Sequence, residues 1–425
     1  MHMIKRLASI DVFRALTMFL MVFVNDLDAV PKVPEWIKHV KENVDGLGFA
    51  DTIFPAFLFI VGLSIPFSIK SRLDRGESRG SIFWHIALRS LALLIMGFYH
   101  VNLEDYLLTG ALIPKAIWEI GITVAFFAIW LDYPKDMSPK RRLPIQIAGI
   151  LLLVAAALVY QGGKPGAPEG LSPKWWGILG LIGWSYLICA CIYLFSAGRF
   201  WVQVLAALFF IAFNVAFHAH LLGGLRDIHH YIWIVGNGSM PALTMGGVVT
   251  ALLYTRALAT PRITATETPA AAPAPNAPPT PGIAATPAPQ SSPGRWYLIA
   301  TLLGAALIAL GFLVRPYGGI SKNHDTPSWV CICMGISVCA FAFLTWLVDQ
   351  KGHASWFNWV KPAGTSTLTC YLIPYLLYSI FMLFHFKYPY PFNEGPGGLI
   401  RSILVALFCV WVTGLLEKRR LRLKI

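Results

Sequence analysis

Residues 9–68 read SIDVFRALTMFLMVFVNDLDAVPKVPEWIKHVKENVDGLGFADTIFPAFLFIVGLSIPFS, and this stretch decides how the chain folds. Two apolar runs, about 12–25 and 51–69, are separated by a polar loop that carries one histidine, His39. Apolar runs of this kind are typical of helices that cross a lipid bilayer. The stretch therefore predicts two membrane-spanning helices joined by a polar loop.

The composition extends this prediction to the whole chain. The 425 residues are 56% hydrophobic and 13% charged, and the mean hydropathy is +0.61. Long apolar runs recur, whereas a closed β-barrel would need short alternating segments. We expect an all-α, polytopic helical bundle embedded in the lipid bilayer. Because Asn25 and Asp26 follow the first run where small residues would mark a cleavage site, we expect a retained first span.

Charge predicts the orientation of the bundle. The apolar runs indicate about twelve transmembrane helices, and an even number puts both termini on one side. That side holds 21 of the 34 Lys and Arg residues, and the other side holds 11. The positive-inside rule therefore predicts cytoplasmic termini and places His39 on the exterior. The predicted spans lie near 12–25, 51–69, 81–99, 114–131, 144–160, 176–196, 200–218, 236–256, 296–314, 328–348, 364–384 and 397–416.

One segment divides the chain into two membrane parts. Residues 259–294 are rich in Pro and Ala and have no apolar repeat, which predicts a disordered cytoplasmic linker. Residues 1–258 then hold about eight spans and residues 295–425 about four. The net charge of +13 is explained by the positive-inside bias, and the absence of basic segments with interleaved aromatics argues against nucleic acid as a partner.

Four charged residues at the mouths of spans are candidate functional groups: Asp11, Arg14, Asp51 and Arg89. Charges in such places are costly to bury and are usually paired or functional. Arg14 and Arg89 could pair with Asp11 or bind the phosphates of a nucleotide-bearing donor. Asp51 could orient the imidazole of His39. The alternative is that this set only caps helices and fixes helix contacts.

Two polar residues near Asp51 are candidate catalytic groups. The imidazole of His39 can take up a proton near neutral pH or accept an acyl group. The amide of Asn25, at the end of the first span, can donate to a developing oxyanion. The alternatives are a solvated loop histidine and an ordinary helix-terminal asparagine. We expect no metal, because the histidines at 218, 220, 229 and 230 have no companion carboxylate at helical spacing except Asp227.

Several short motifs resemble a known family in order and spacing. They are Ser9-Ile10-Asp11-Val12-Phe13-Arg14, Val22-Phe23-Val24-Asn25, Gly46-Leu47-Gly48-Phe49-Ala50-Asp51, Phe54-Pro55 and Phe57-Leu58-Phe59-Ile60-Val61-Gly62. On these motifs the chain resembles the heparan-α-glucosaminide N-acetyltransferase family of transmembrane acyltransferases, including its bacterial members. The signature covers residues 9–68, and the rest of the chain matches more loosely.

The resemblance implies an activity and a location. It implies an acyltransferase of a bacterial inner membrane that uses cytoplasmic acetyl-CoA as cosubstrate and acetylates an exterior amino sugar or glycan. His39 would be the base or the acyl carrier, with Asn25 and Asp51 beside it, and Asp11, Arg14 and Arg89 would bind the coenzyme. A homodimer is left open. Glu119 stands where the family has a basic residue, so specificity for the donor or acceptor is expected to differ.

A secondary transporter of small solutes or glycan precursors is the alternative reading. About twelve spans and a central cytoplasmic linker also suit a transporter, whose charged residues would couple ions to transport. A scaffold without chemistry is a third reading. A variant without His39 separates the first two, because a transporter would keep its substrate flux.

Overall fold

The computed structural model describes residues 7–164, 166–174, 176–222, 234–258 and 293–425. The predicted linker lies outside the described residues except for 293 and 294. The histidines at 229 and 230 also lie outside the described residues. The described residues form thirteen α-helices: α1 (Ala8–Asp28), α2 (Ala50–Asp74), α3 (Arg79–Asn102), α4 (Lys115–Trp130), α5 (Pro139–Leu158), α6 (Ile178–Phe195), α7 (Phe200–His218), α8 (Ser239–Leu258), α9 (Pro293–Leu313), α10 (Pro327–Leu344), α11 (Lys361–Thr365), α12 (Thr367–Leu383) and α13 (Gly395–Lys418).

The prediction of an all-α polytopic membrane protein is confirmed. Within the described residues, nine helices are long and apolar enough to cross a membrane. A helix lies at the position of each predicted span, with ends that differ by a few residues. Helix α5, for example, begins at Pro139, because proline suits the first turn of a helix, and it therefore includes basic residues that hydropathy alone excludes.

Three kinds of short element join the helices. A two-stranded antiparallel hairpin, β1 (Gly162–Lys164) and β2 (Ala167–Glu169), follows α5. Short 3₁₀ turns occur at Glu35–Ile37 and His353–Phe357. Helix α10 continues into one π-helical turn, Thr345–Gln350.

Helix α1 lies at the centre of the bundle and contacts α2, α10, α11, α12 and α13. In the most apolar window of each helix, 56% of the residues of α1 and 61% of those of α2 are buried. The corresponding buried fractions are 17% for α5 and 22% for both α7 and α9. The two helices that carry the resemblance at residues 9–68 thus belong to the core, together with α6 and α10, whose windows are 56% and 61% buried. Helices α5, α7 and α9 form the periphery, where apolar side chains face lipid.

Glycine holds α2 and α8 unusually close together. A Cβ atom added at Gly62 of α2 would lie 1.8 Å from the carbonyl oxygen of Thr244 in α8. One added at Gly247 of α8 would lie 2.0 Å from the carbonyl oxygen of Phe59. Small residues let membrane helices approach at backbone distance. The helix that carries Asp51 is thus fixed against the core.

The bundle has two ends that matter for the site. The C-terminal end of α1 and the N-terminal ends of α2 and α10 meet at one end, where the indole of Trp329 donates to the carbonyl oxygen of Asp51 at 3.1 Å. We call this the histidine end, after His39. The N-terminal half of α1, the C-terminal half of α2 and the middle of α3 meet at the other end, which we call the arginine end, after Arg14 and Arg89.

Candidate active site

His39 lies in the loop between α1 and α2 and is held by Asp51. The loop is anchored because the amine of Lys38 donates to the carbonyl oxygen of Val30 at 2.9 Å. The Nδ1 atom of His39 lies 2.7 Å from Oδ1 of Asp51. Since a carboxylate only accepts, this contact requires a proton on Nδ1, and in the neutral ring Nε2 then presents a lone pair. The ring is 23% exposed, so this nitrogen can be approached from outside the bundle.

Asp51 is a fixed partner for that ring. Its Oδ2 atom accepts from the backbone N–H groups of Val40 at 3.1 Å and Gly48 at 3.0 Å, and its side chain is 2% exposed. A Cβ at Gly48 would lie 2.0 Å from the carbonyl oxygen of Lys38, so this turn requires glycine. The structure thus brings together His39 and Asp51, which the sequence analysis placed at the same mouth.

Lys322 is a third residue at this place, and it is not among the candidate residues identified from the sequence. It lies in the segment between α9 and α10, 283 residues from His39 along the chain. Its Nζ atom is 3.2 Å from Nδ1 and 3.4 Å from Nε2 of His39. Burial lowers the pKa of the Lys322 ammonium below its ordinary value.

Asn25 lies on the same end of α1 but does not touch His39. No hydrogen bond joins the two within the part of the chain that the structure describes. Asn25 lines a small cavity of about 160 Å³ together with the aromatic rings of Tyr371, Tyr375 and Tyr378. Asn25 lies in the last turn of α1, and Val30 follows just after the end of that helix. The amide is therefore near the anchor of the His39 loop without belonging to the His39–Asp51 pair.

Asp26, which was not singled out from the sequence as a functional group, is a second buried carboxylate at this end. Its side chain pairs with Arg401 of α13 at 3.1 Å and accepts from the hydroxyl groups of Ser402 and Tyr378 at 2.6 and 2.5 Å. The ring of Tyr388 lies 4.6 Å from the Arg401 guanidinium. The pair fixes α13 against α1 beside the small cavity.

The arginine end contains a cavity of about 1040 Å³. Asp11, Arg14 and Arg89, the predicted coenzyme-binding set, all line it, as do Lys70, Arg75 and Lys424. Arg14 donates to Asp11 at 3.1 Å and to Ser64 at 2.7 Å. A large, open space with several cations on its wall suits a polyanionic ligand.

Arg89 is a cation of this wall that has an unused hydrogen-bond donor. Its guanidinium lies 5.0 Å from the centre of the Tyr186 ring. Its Nε atom is buried and has no hydrogen-bond partner among the described residues. An unsatisfied buried donor is costly unless a ligand satisfies it. Arg89 is thus the clearest candidate for an anion contact in the cavity.

The two cavities are neighbours within the bundle. Met21 and Tyr371 line both of them. The wall therefore runs from Arg89 at the arginine end to Asn25 at the histidine end. The lining of these two cavities does not include His39.

Two further polar residues of the core lie near the same wall. Glu119, the departure from the family pattern, is buried and accepts from the hydroxyl of Ser379 at 2.8 Å. His100 is buried against Tyr375, with ring centres 4.3 Å apart. Within the described residues, no group of three or more His, Cys, Asp or Glu side chains is placed to hold a metal ion.

The chain is similar to one family of proteins and to two named acetyltransferases. Residues 6–221 match a family described as a domain of unknown function (DUF5009). The chain is 39% identical over 131 residues to the heparan-alpha-glucosaminide N-acetyltransferase of Homo sapiens. The aligned region covers 29% of this chain and 19% of that protein. It is 38% identical over 146 residues to the protein of the same name of Mus musculus, covering 32% of this chain and 21% of that protein. The match thus spans about a fifth of the length of each relative, and the predicted resemblance is confirmed.

Proposed function

This chain belongs to the family described as a domain of unknown function (DUF5009), and on that premise we propose that it is a transmembrane acetyltransferase. It moves an acetyl group from acetyl-CoA at the arginine end to an amino sugar or another glycan unit at the histidine end. The similarity to two proteins named N-acetyltransferases supports this class of reaction. The observation that carries the proposal is the contact between His39 and the buried, fully engaged carboxylate of Asp51.

At the histidine end, His39 acts as the general base. Asp51 holds the proton on Nδ1, so Nε2 can take the proton of the acceptor amine or hydroxyl. The acceptor atom forms a bond to the thioester carbonyl carbon, the carbon–sulfur bond breaks, and the proton passes from Nε2 to the departing thiolate. An alternative route carries the acetyl group on Nε2 itself, and trapping an acetylated His39 by mass spectrometry distinguishes the two.

At the arginine end, the cavity receives the coenzyme. Its nucleotide carries phosphates, which Arg14 and Arg89 bind by charge-assisted hydrogen bonds. Asp11 is a member of this set because it holds the guanidinium of Arg14 at 3.1 Å. The thioester arm then extends past Met21 and Tyr371 toward Asn25, whose amide steadies the charged intermediate. A charged coenzyme cannot cross lipid, whereas an acetyl group passed through a protein cavity can.

The orientation follows from charge. The arginine end lies on the side that holds 21 of the 34 Lys and Arg residues, so it faces the cytoplasm, where acetyl-CoA is made. The histidine end then faces the exterior of the inner membrane. Both termini are cytoplasmic, and about twelve helices span the bilayer.

Calorimetry and turnover of the purified full-length chain test this proposal. We expect acetyl-CoA to bind, and we expect [¹⁴C]acetyl-CoA to label glucosamine in the presence of the protein. Absence of acetyl-CoA binding at millimolar concentration would overturn the proposal. A secondary transporter, the other class considered, would move solute across liposomes without consuming the thioester.

A further inference from the structure

The ammonium of Lys322 contacts His39 in an unusual way. Its Nζ atom is nearly equidistant from the two ring nitrogens, at 3.2 and 3.4 Å. With the proton on Nδ1, only Nε2 has a lone pair, and an ammonium centred between the two nitrogens is not aligned with it. An ammonium has three donors and no acceptor. Its protons remain available to another acceptor that arrives next to Nε2.

Lys322 is positioned by hydrogen bonds between the loop that carries His39 and the segment between α9 and α10. Asp45, in the loop of His39, accepts from the backbone N–H of Ile320 at 2.7 Å and from Arg315 at 3.0 Å. The N–H of Gly46 donates to the carbonyl oxygen of Ile320 at 3.0 Å. The hydrogen bond from Ile320 holds the pKa of Asp45 below its usual value. Residues 45–46 and 315–320 therefore form one unit that sets the position of Lys322.

The other side of the Lys322 segment is held by helix α7. The buried amide of Asn214 donates to the carbonyl oxygens of Asp325 at 3.1 Å and Asn237 at 3.0 Å. The Nε2 atom of His218 lies 2.9 Å from the carbonyl oxygen of His324. A segment tied on both sides keeps a flexible lysine stem over one target.

The charges around Lys322 come from every element packed against it. Burial opposes its positive charge, and nearby acidic groups favour it. The groups that face Lys322 are His39 in the loop between α1 and α2, Asp51 on α2, Asp28 at the end of α1, Asp325 in the segment that also carries Lys322, and the thiol of Cys333 on α10. A cation that is partly desolvated among these groups acts strongly on any charge that develops at the neighbouring imidazole.

We propose that Lys322 is a catalytic residue of this site, whose ammonium pairs with the oxyanion formed beside Nε2 of His39. The inference rests on the proposed acetyl transfer. When the acceptor nitrogen bonds to the thioester carbon, the carbonyl oxygen gains the negative charge and Nε2 takes the amine proton. Collapse restores the carbonyl, expels the thiolate, and returns that proton to sulfur. Lys322 stays protonated throughout and supplies only charge and hydrogen bonds.

Three variants of the full-length chain test this role. Lys322→Met removes the charge and keeps the apolar stem, Lys322→Arg keeps a charge that does not titrate, and Lys164→Met removes an exposed lysine of β1 as the matched control. The kcat and the KM for acetyl-CoA are measured with [¹⁴C]acetyl-CoA and glucosamine between pH 6 and 10. His39→Ala is measured beside them.

We expect Lys322→Met to lower kcat about 100-fold with little change in KM, because losing one oxyanion donor costs about 10²- to 10³-fold. Since burial lowers the pKa of Lys322, wild-type kcat should fall as the pH rises toward 10, and Lys322→Arg should lose that decline. A Lys322→Met variant within threefold of wild type, alongside an inactive His39→Ala, would overturn this role and leave acetyl transfer standing. A wild-type chain that labels no glucosamine would instead overturn the proposed function.

Discussion

The histidine end and the arginine end both carry charged side chains, but the surroundings of these charges differ. At the histidine end, Asp51 and Asp26 each accept several hydrogen bonds from fixed groups. At the arginine end, Arg14 and Arg89 line a cavity of about 1040 Å³, and the Nε atom of Arg89 has no partner among the described residues. Charges that are fixed on all sides orient a reaction, and charges on a cavity wall bind a ligand. The comparison therefore supports the proposal that chemistry takes place at one end and cosubstrate binding at the other.

Removing His39 tests the chemical end and should have the largest effect. We expect His39→Ala to lower acetyl transfer about 10³-fold, because general base catalysis contributes roughly 10²- to 10⁴-fold. Acetyl-CoA binding should be unchanged, since His39 does not line the large cavity. The matched control is His353→Ala, which removes a histidine stacked on Trp356. Equal losses in both variants would contradict the assignment.

Removing the charge of Asp51 sharpens the same side of the comparison. Asp51→Asn keeps the shape but no longer favours the proton on Nδ1 of His39. We expect kcat to fall about 10²-fold, with the KM for acetyl-CoA within about twofold of wild type. Turnover kinetics at saturating acetyl-CoA measure this directly. A variant whose only defect is a raised KM would place Asp51 in cosubstrate binding instead.

Removing Arg89 tests the binding end. Loss of a charge-assisted hydrogen bond costs about 1.5–3 kcal/mol, so we expect Arg89→Gln to raise the KM for acetyl-CoA roughly tenfold or more. The kcat should stay close to wild type. Arg142→Gln, which removes a guanidinium that hydrogen-bonds Gln146 on α5, is the control for net charge. An unchanged KM in Arg89→Gln, or the same rise in both variants, would break the comparison.

The smallest expected effect is on stability and comes from Asp325. Burial raises its pKa to about 7, with Lys322 acting in the opposite direction. The folded state therefore keeps a proton that the unfolded state has lost above about pH 4, and stability should fall as the pH rises from 4 to 7. Asp325→Asn should remove this contribution.

The measurement for Asp325 is a pair of melting curves at pH 5 and pH 8. We expect the wild-type Tm to drop between these values by roughly 2 °C more than that of Asp325→Asn. Asp136→Asn, which changes an exposed loop aspartate, serves as the control and should follow wild type. Parallel melting behaviour of all three proteins would show that Asp325 is not buried as described.

Sequence alone predicted the helices well, because apolar runs and charged ends follow directly from the bilayer. It also predicted that His39 and Asp51 lie at one mouth, since they flank the same loop. The role of Lys322 could not be predicted, because its contact with His39 joins residues 283 positions apart through loops that carry no hydropathy signal. Asp26 was hidden for the same reason, since its partner Arg401 lies on α13, the last helix. The cavities could not be predicted, because side-chain packing of six or more helices shapes them.

Acetyl transfer across a sealed membrane tests the central claim most directly. The full-length chain is reconstituted in liposomes that contain glucosamine, and [¹⁴C]acetyl-CoA is added outside. The account predicts labelled N-acetylglucosamine inside the liposomes, with intact acetyl-CoA excluded from the lumen, and loss of this product in His39→Ala. Labelled product formed only outside, from glucosamine added on the same side as acetyl-CoA, would contradict it.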